Sequence, residues 1–338
     1  MGYPQLTIML DVLIIGCGNI AGRFDESSPG DYPFSHAGAM RAHGGFRIAA
    51  CIEPNADRRA QFQSFWGVPF GAESWDGLAA KPLAFDVISI CSPTIMHGND
   101  LGKALELRPR LVFSEKPVTP TAEETAHWVQ RYAEEDILLA VNHTRRWAPD
   151  VVELARQIAD GVWGAVRSAS AQYTKGIANN GSHMIDLLQL LIGPVHLIAA
   201  GRPERDFWPK DPSISALLQT TSGIPVTLNI GNAADYSLFE LRLVTEKGVI
   251  DMLDGGMTWT TRSVIDNPDF PGYRSAGKAV AVEGQYAAAM SGAFSNIAAA
   301  LDDGVPLACD GANALTTQRL CDAIKAAALT KPNMPSVP

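Results

Sequence analysis

The sequence predicts an α/β fold in two parts, an N-terminal doubly wound parallel sheet followed by an α+β domain with a large, mostly antiparallel open sheet. Three observations carry this expectation. From Ile8 to about Asn142, short β-branched runs alternate with helical patterns. Those runs are apolar on both faces, as strands covered by helices on both sides must be. Beyond Asn142 the runs lengthen and alternate in polarity, the pattern of a sheet with one wetted face. The expected division is residues 1–142 and residues 143–338, with a tight boundary at 142–148.

In order, the strands of the first part are MLDVLIIGCG, FRIAACIEP, FDVISICSP, RLVFSEKP and DILLAVNH, with helices at 35–43, 56–66, 97–107 and 121–135 between them. The second part opens with helices at 149–160 and 183–192. The runs AVRSASAQYT, SISALLQTT, IPVTLNIGN, SLFELRLVTEKGVIDML and MTWTTRSVI follow as strands. Two alanine-rich helices, about 283–303 and 312–328, close the chain.

Composition narrows the function classes. The 338 residues are 46% hydrophobic and 19% charged, an ordinary globular balance. A formal charge of -9, with no dense basic run interleaved with aromatics, argues against a nucleic-acid partner. The five cysteines are scattered without CxxC or Cys/His ligand spacing, so neither a disulfide framework nor a metal site is expected, and reduced thiols fit a cytoplasmic protein. The apolar run LTIMLDVLIIG is broken by Asp11 and too short to span a bilayer, so it reads as a strand and no membrane partner is expected.

The first motif is VLIIGCGNIAG. Gly16, Gly18 and Ala21 stand at x-x spacing directly after a strand and at the start of a helix, with Asn19 and Ile20 in the first turn. Glycines there permit a tight turn and close backbone approach, and the helix N-terminus offers N–H groups to a pyrophosphate. A Rossmann-type dinucleotide site is the expectation. Glu53 ends the second strand, where a carboxylate accepts from both ribose hydroxyls and repels a 2'-phosphate, favouring NAD over NADP. It lies 37 residues beyond Gly16 rather than the usual ~20, a gap the turn-rich insert DESSPGDYP (residues 25–33) largely explains. Arg58 and Arg59 follow and keep NADP open.

Lys116, in LVFSEKPVTP, follows a buried strand and precedes Pro117, which biases it to an extended conformation at the carboxyl edge of the sheet. From there an ammonium can polarise a substrate oxygen during hydride transfer. The bland alternative is a surface lysine paired with Glu115. His183, in NNGSHMIDLLQLLIG, reads as the first residue of an amphipathic helix capped by Ser182, its protonation disfavoured by the helix dipole and its ring oriented by Asp186. The alternative there is a first-turn surface residue.

Taken together, GCGNIAGR, ISICSPTIMHG, FSEKPVTP, VNHTRRWAP and GSHMIDLLQLLIG resemble the glucose-fructose oxidoreductase, inositol dehydrogenase and MocA family of NAD(P)-dependent oxidoreductases. The resemblance runs from about residue 11 to the C-terminus, and EKP and GSHxID are its specific parts. It implies that Lys116 and His183 handle the substrate proton. It places Ser92, His97, Glu115 and Asn142 beside the cofactor, and Arg145, Arg146, Tyr173 and Asn179 near the substrate. Asn179 stands where many sugar- and cyclitol-oxidising members have aspartate, so a proton relay through it is lost and any relay must be shorter or use Asp186 or Lys116. YTKGIANNGSHMID also resembles members of surface-polysaccharide and nucleotide-sugar pathways.

The expected activity is therefore hydride transfer between a nicotinamide and a secondary carbinol or ketone of a sugar, a nucleotide-sugar first, with the Arg145–Arg146 pair suited to its diphosphate. Inositol-like cyclitols or free aldoses are the alternative substrates, and an NAD-dependent glycosidase is a rarer third. A sensor that kept the fold and lost the chemistry is the alternative of another class. Family members are often dimers or tetramers, so a homo-oligomer is the default expectation.

Overall fold

A computed structural model of the chain describes residues 9–26, 32–79, 81 and 83–330. The expected start of the alternation at Ile8 and residues 27–31 of the insert lie outside the described residues. The chain forms two compact units: the stretch up to Ala148 with Ala287–Leu315, and Pro149–Tyr286 with the chain from Thr316.

The first unit is a six-stranded parallel sheet: β1 Leu10–Ile15, β2 Phe46–Ile52, β3 Phe70–Ala72, β4 Val87–Ile90, β5 Leu111–Ser114 and β6 Leu138–Val141, in the order β3-β2-β1-β4-β5-β6. The sequence predicts five of these and misses β3, a three-residue edge strand. All residues of β4 and β5 are buried, as helices on both faces require. Local chemistry sets the helices: in α1 (His36–His43) Ser35 accepts from Gly38 N and Gly44 ends the helix at φ 75°. In α2 (Ala56–Trp66) Asn55 and Gly67 do the same. Helices α3 (Thr94–Glu106) and α4 (Ala122–Glu134) follow, α4 capped by Thr121.

Of the stretches expected in the second part, residues 143–148 and Ala287–Leu315 fall with the first unit. Helix α7 (Ala289–Asp303) packs with the first unit: Ala289, Met290, Ala293, Phe294 and Ile297 form its buried stripe, and Phe294 meets Phe113 and Phe46 edge-on at 5.5 and 5.2 Å. Val141 N donates to Cys309 O at 3.1 Å, and Trp147 Nε1 to Asn296 Oδ1 at 3.0 Å. Removing Phe294 from this core is worth about 3–5 kcal/mol, which is why the segment returns to this sheet.

The second unit holds helices α5 (Pro149–Ala159) and α6 (Ser182–Ile192) and a nine-stranded sheet. Its strands are β7 Val166–Tyr173, β8 Val195–Trp208, β9 Asp211–Thr220, β10 Pro225–Ile230, β11 Phe239–Thr245, β12 Gly248–Leu253, β13 Thr258–Asp266, β14 Arg274–Ala276 and β15 Val280–Glu283. The order is β14-β13-β12-β11-β7-β10-β9-β8, with β15 on β13. Only β7 and β10 run parallel among the described neighbours. Alternation is clear in β11, where Phe239, Leu241 and Leu243 are buried and Arg242 is exposed. The helix expected from residue 283 begins at Ala289, because β15 and the turn at Gly284, whose N–H donates to Met257 O, occupy the residues before it. Helix α8 (Gly311–Thr330) ends the described chain.

Candidate active site

In the first unit β1 has β2 on one side and β4 on the other, so a crevice opens where the strand order reverses, at the carboxyl ends of β1 and β4. The glycine loop lies there. Gly16 takes φ 83°, its N–H donates to Ile52 O at 2.8 Å, and a Cβ on it would stand 2.8 Å from Cys91 O. Only glycine lets the loop pass the end of β4 so closely. At Gly18 a Cβ would meet nothing within 4 Å, so this part of the loop borders open space. The helix then opens as a π turn over Asn19–Arg23. Ala21 is buried, but the close approach to a neighbouring helix falls at Gly22, where a Cβ would overlap Trp66 and Phe62.

Glu53 reaches this loop in spite of the long spacing. Its Oε2 accepts from Cys17 N at 3.1 Å and its Oε1 from Asn55 N at 2.9 Å. Arg58 Nη1 lies 3.5 Å from Oε2, and Arg59 Nη1 donates to Glu53 O at 2.5 Å. The insert leaves this geometry intact because its ends are stitched together: the Asp25 carboxylate accepts from Phe34 N and Ser35 N, each at 2.9 Å.

Ser92 follows β4, and His97 lies in the first turn of α3. Ser92 Oγ donates to Asp100 Oδ2 at 2.6 Å, and Asp100 Oδ1 accepts from Trp75 Nε1 at 2.8 Å. His97, expected beside a cofactor, is fully buried with its ring nitrogens 2.8 Å from Ser92 O and 2.9 Å from Pro117 O. It is a strut between the loop after β4 and the loop after β5.

Glu115 and Lys116 follow β5, with a cis peptide between Lys116 and Pro117. The Glu115 Oε1 accepts from Asn142 Nδ2 at 2.6 Å and lies 3.0 Å from His36 Nε2, while His36 Nδ1 is 2.6 Å from Ser89 Oγ. Burial raises the Glu115 pKa, but hydrogen bonds from His36 and Asn142 and the charges of His36 and Lys116 hold it below the ordinary carboxylate value. Lys116 itself is half-buried.

The turn Thr144–Trp147 departs from the expected diphosphate clasp. Arg146 is buried and its Nη1 donates to Ala308 O at 3.0 Å, so its guanidinium ties α7's following loop to the sheet. Arg145, half-buried beside it, is the one of the pair left on the substrate side of the expectation.

In the second unit, Tyr173 corrects another expectation. It is fully buried, its hydroxyl donating to Ile214 O at 2.9 Å and accepting from Ile214 N at 2.8 Å, and burial pushes its pKa up. Both hydrogen-bonding roles of the phenol are spent on β9, which leaves it a core residue. The entrance to His183 also differs. A π turn over Gly176–Gly181 runs directly into α6, and Ser182 Oγ donates to Asn179 O at 2.9 Å instead of capping. The positive end of the helix thus lies at 176–179, where Asp211 accepts from Ala178 N and Asn179 N at 2.9 and 2.8 Å, and Ser213 Oγ from Gly176 N at 2.9 Å. The dipole argument for His183 does not hold in this geometry. His183 and Asn179 are half-buried, while Asp186, one turn on, is 1% exposed with Thr317 Oγ1 3.5 Å from its Oδ1.

Three supporting residues escape the sequence: His36, Asp100 and Asp211. His36 meets Glu115, 79 positions away, and Asp211 meets Ala178 N and Asn179 N more than 30 positions away, while the hydroxyl of Ser92 that reaches Asp100 carries no pattern that marks the pair. Among the described residues no group of acidic, histidine or cysteine side chains has metal-ligand geometry, and the five cysteines are buried and form no disulfide. No described helix is long and apolar enough to cross a membrane.

A model of the oxidoreductase family with an NAD-binding Rossmann fold, Gfo/Idh/MocA, matches residues 10–143. A D-glucoside 3-dehydrogenase of Escherichia coli is 25% identical over 208 residues, 54% of each chain. An inositol 2-dehydrogenase of Rhizobium meliloti is 28% identical over 171 residues, 45% of this chain and 52% of the relative. The match thus spans about half the length of these curated relatives. Among solved structures, the WlbA dehydrogenase from Bordetella pertussis, in complex with NADH and UDP-GlcNAcA, shares the fold with a TM-score of 0.74 at 17% identity, over 95% of this chain and 97% of that one. The family match runs through the glycine loop, Glu53 and the Glu115–Lys116 segment, so over residues 10–143 the chain is similar to the Gfo/Idh/MocA family of oxidoreductases.

Proposed function

We propose that this protein is an NAD(P)-dependent oxidoreductase that moves a hydride between nicotinamide and a secondary hydroxyl or ketone of a sugar ring, with a nucleotide-activated sugar as the leading substrate class. The observation that carries this reading is within the first unit: the open side of the glycine loop at Gly18 and the segment bearing Lys116 share the carboxyl edge of one parallel sheet. Gly16–Ile20, with N–H groups at a helix start, suit a pyrophosphate, and Glu53 retains lone pairs for ribose hydroxyls beyond the two it gives to Cys17 and Asn55. Bound nicotinamide would supply or accept the hydride. Lys116 holds the reacting oxygen as charge develops on it, and His183 takes or returns its proton. Asn179 and Arg145 help to orient the sugar. Cyclitols are the second reading, favoured by the likeness to the inositol 2-dehydrogenase.

The test is NADH absorbance while the protein and NAD are offered UDP-, GDP-, dTDP- and CMP-sugars, then free sugars and cyclitols. Turnover of one nucleotide-sugar group supports the proposal; turnover of myo-inositol alone replaces it with the second reading, and none at all removes both. In the same assay, Glu53→Ala should raise the KM for NAD by about tenfold and narrow the preference over NADP, since the carboxylate that accepts from the ribose and repels a phosphate is gone while Arg58 remains. An unchanged preference would mean that Glu53 does not read the ribose.

A further inference from the structure

A buried chain of polar groups runs behind Lys116, and the proposed chemistry leaves it without a function. It starts at Ser89 Oγ, 2.6 Å from His36 Nδ1, continues from His36 Nε2 to Glu115 Oε1 at 3.0 Å, and passes from Asn142 Nδ2, 2.6 Å from the same oxygen, to Thr144, whose hydroxyl donates to Asn142 Oδ1 at 2.9 Å. His36 is 0% exposed and stacks on Phe113 with ring centroids 4.6 Å apart, with Phe294 edge-on at 5.8 Å. Such a histidine in an apolar core is costly unless it serves the carboxylate it touches.

We propose that His36 is a positioning residue for Lys116: its imidazole anchors the Glu115 carboxylate and, through it, sets both the place and the electrostatic surroundings of the neighbouring lysine. The Glu115–Pro117 segment is gripped on both flanks, since Glu115 N donates to Ile90 O at 2.9 Å and His97 holds Pro117 O from the other side. With these contacts Lys116 departs from a segment that is fixed before any substrate arrives, which is what transition-state stabilisation by a preset charge requires. Among the described residues, the ionisable groups acting on His36 are Cys91 and Glu115, from the ends of β4 and β5, and Phe294 of α7 meets its ring edge-on. Burial pulls against its charge, yet Cys91 and Glu115 push its pKa up to about 10. The imidazolium–carboxylate pair therefore favours the fold fully below the ordinary histidine pKa of 6.5, and that contribution is lost as pH rises toward 10.

The catalytic consequence rests on the role proposed for Lys116, so the primary measurement needs no substrate. The full chain is reductively methylated with ¹³C-formaldehyde, Lys116→Arg assigns the resonance, and the Lys116 midpoint is read by NMR in wild type, His36→Leu and His36→Gln. A ¹⁵N histidine spectrum of the wild type at pH 8 is recorded alongside. Expected are two protonated ring nitrogens on His36 and a rise of about half a pH unit or more in the Lys116 midpoint in both variants, since a positive partner of Glu115 has been removed. With a substrate from the panel, His36→Leu should lower kcat about tenfold or more at unchanged NADH affinity, and His36→Gln, which keeps a donor toward Glu115, should recover most of it. Should His36→Leu fail to fold, the glutamine variant carries the titration alone. A Lys116 midpoint identical in wild type and the folded variants overturns the inference, whatever the enzyme assay shows. Absence of turnover with a shifted midpoint overturns only the proposed activity.

Discussion

Lys116→Ala and His183→Ala should each lower kcat by about two to four orders of magnitude, while the affinity for NADH, read by fluorescence titration, stays within a few fold of wild type. In the proposed mechanism Lys116 would hold charge on the substrate oxygen and His183 would move its proton, and neither role would be exercised in the binary complex with the cofactor. The two variants should nonetheless differ in their response to pH. Lys116 neighbours the Glu115 carboxylate, so its alanine variant also removes a positive charge that lowers the Glu115 pKa. His183 sits in the first turn of α6, whose positive end is met by Asp211 instead of by the histidine. The loss in His183→Ala should therefore be confined to proton transfer, and the step it slows should show a solvent isotope effect larger than wild type. Wild-type turnover in either variant would remove that residue from the chemistry.

The parts of this architecture that are legible in the sequence are those in which one local pattern decides the structure. Apolar runs of four to seven residues give β1, β2, β4, β5 and β6 because a strand buried on both faces tolerates little else. The helix expected at 56–66 is α2, Ala56–Trp66, and the structure shows what bounds it: the Asn55 cap and Gly67. Strand β8, by contrast, is invisible: VHLIAAGRPERDFW contains Gly201, Pro203 and five charged or aromatic positions at its end, and it forms an edge strand whose pairing with β9 slips register three times. An edge needs no alternating apolar face. The return of α7 to the first unit is equally hidden, because an alanine-rich stripe states that a helix is buried without stating against which sheet. At the site, Gly16, Glu53 and Lys116 are legible because strand ends are places where chemistry is expected. His36 is not, since its meaning lies in Glu115, 79 positions away, and Tyr173 stands near the substrate only by the family resemblance, which cannot show that Ile214 occupies its hydroxyl.

Gly16 and Gly18, two residues apart in one motif, should respond oppositely to the same added methyl group. Gly16→Ala puts an L side chain at φ 83° and a Cβ 2.8 Å from Cys91 O and 2.9 Å from Ser92 Cα, backbone atoms that cannot swing aside. The left-handed conformation alone costs about 1–2 kcal/mol, and parting β1 from β4 adds to it, so a loss of roughly 3 kcal/mol in urea unfolding is expected. Gly18 has φ -83° and ψ -162°, values open to any residue, and its Cβ would meet no protein atom within 4 Å. Gly18→Ala should thus unfold within about 0.5 kcal/mol of wild type. If the open space beside Gly18 belongs to a pyrophosphate, however, the methyl group occupies ground that the ligand needs, and NAD affinity should fall by about tenfold or more, equivalent to ~1.4 kcal/mol. The pair separates the two functions of the motif, since stability moves at one glycine and cofactor binding alone at the other. A Gly18→Ala protein that binds NAD as well as wild type would mean that the cofactor does not pass over this loop, and the reading of the first unit as its cradle would have to be given up.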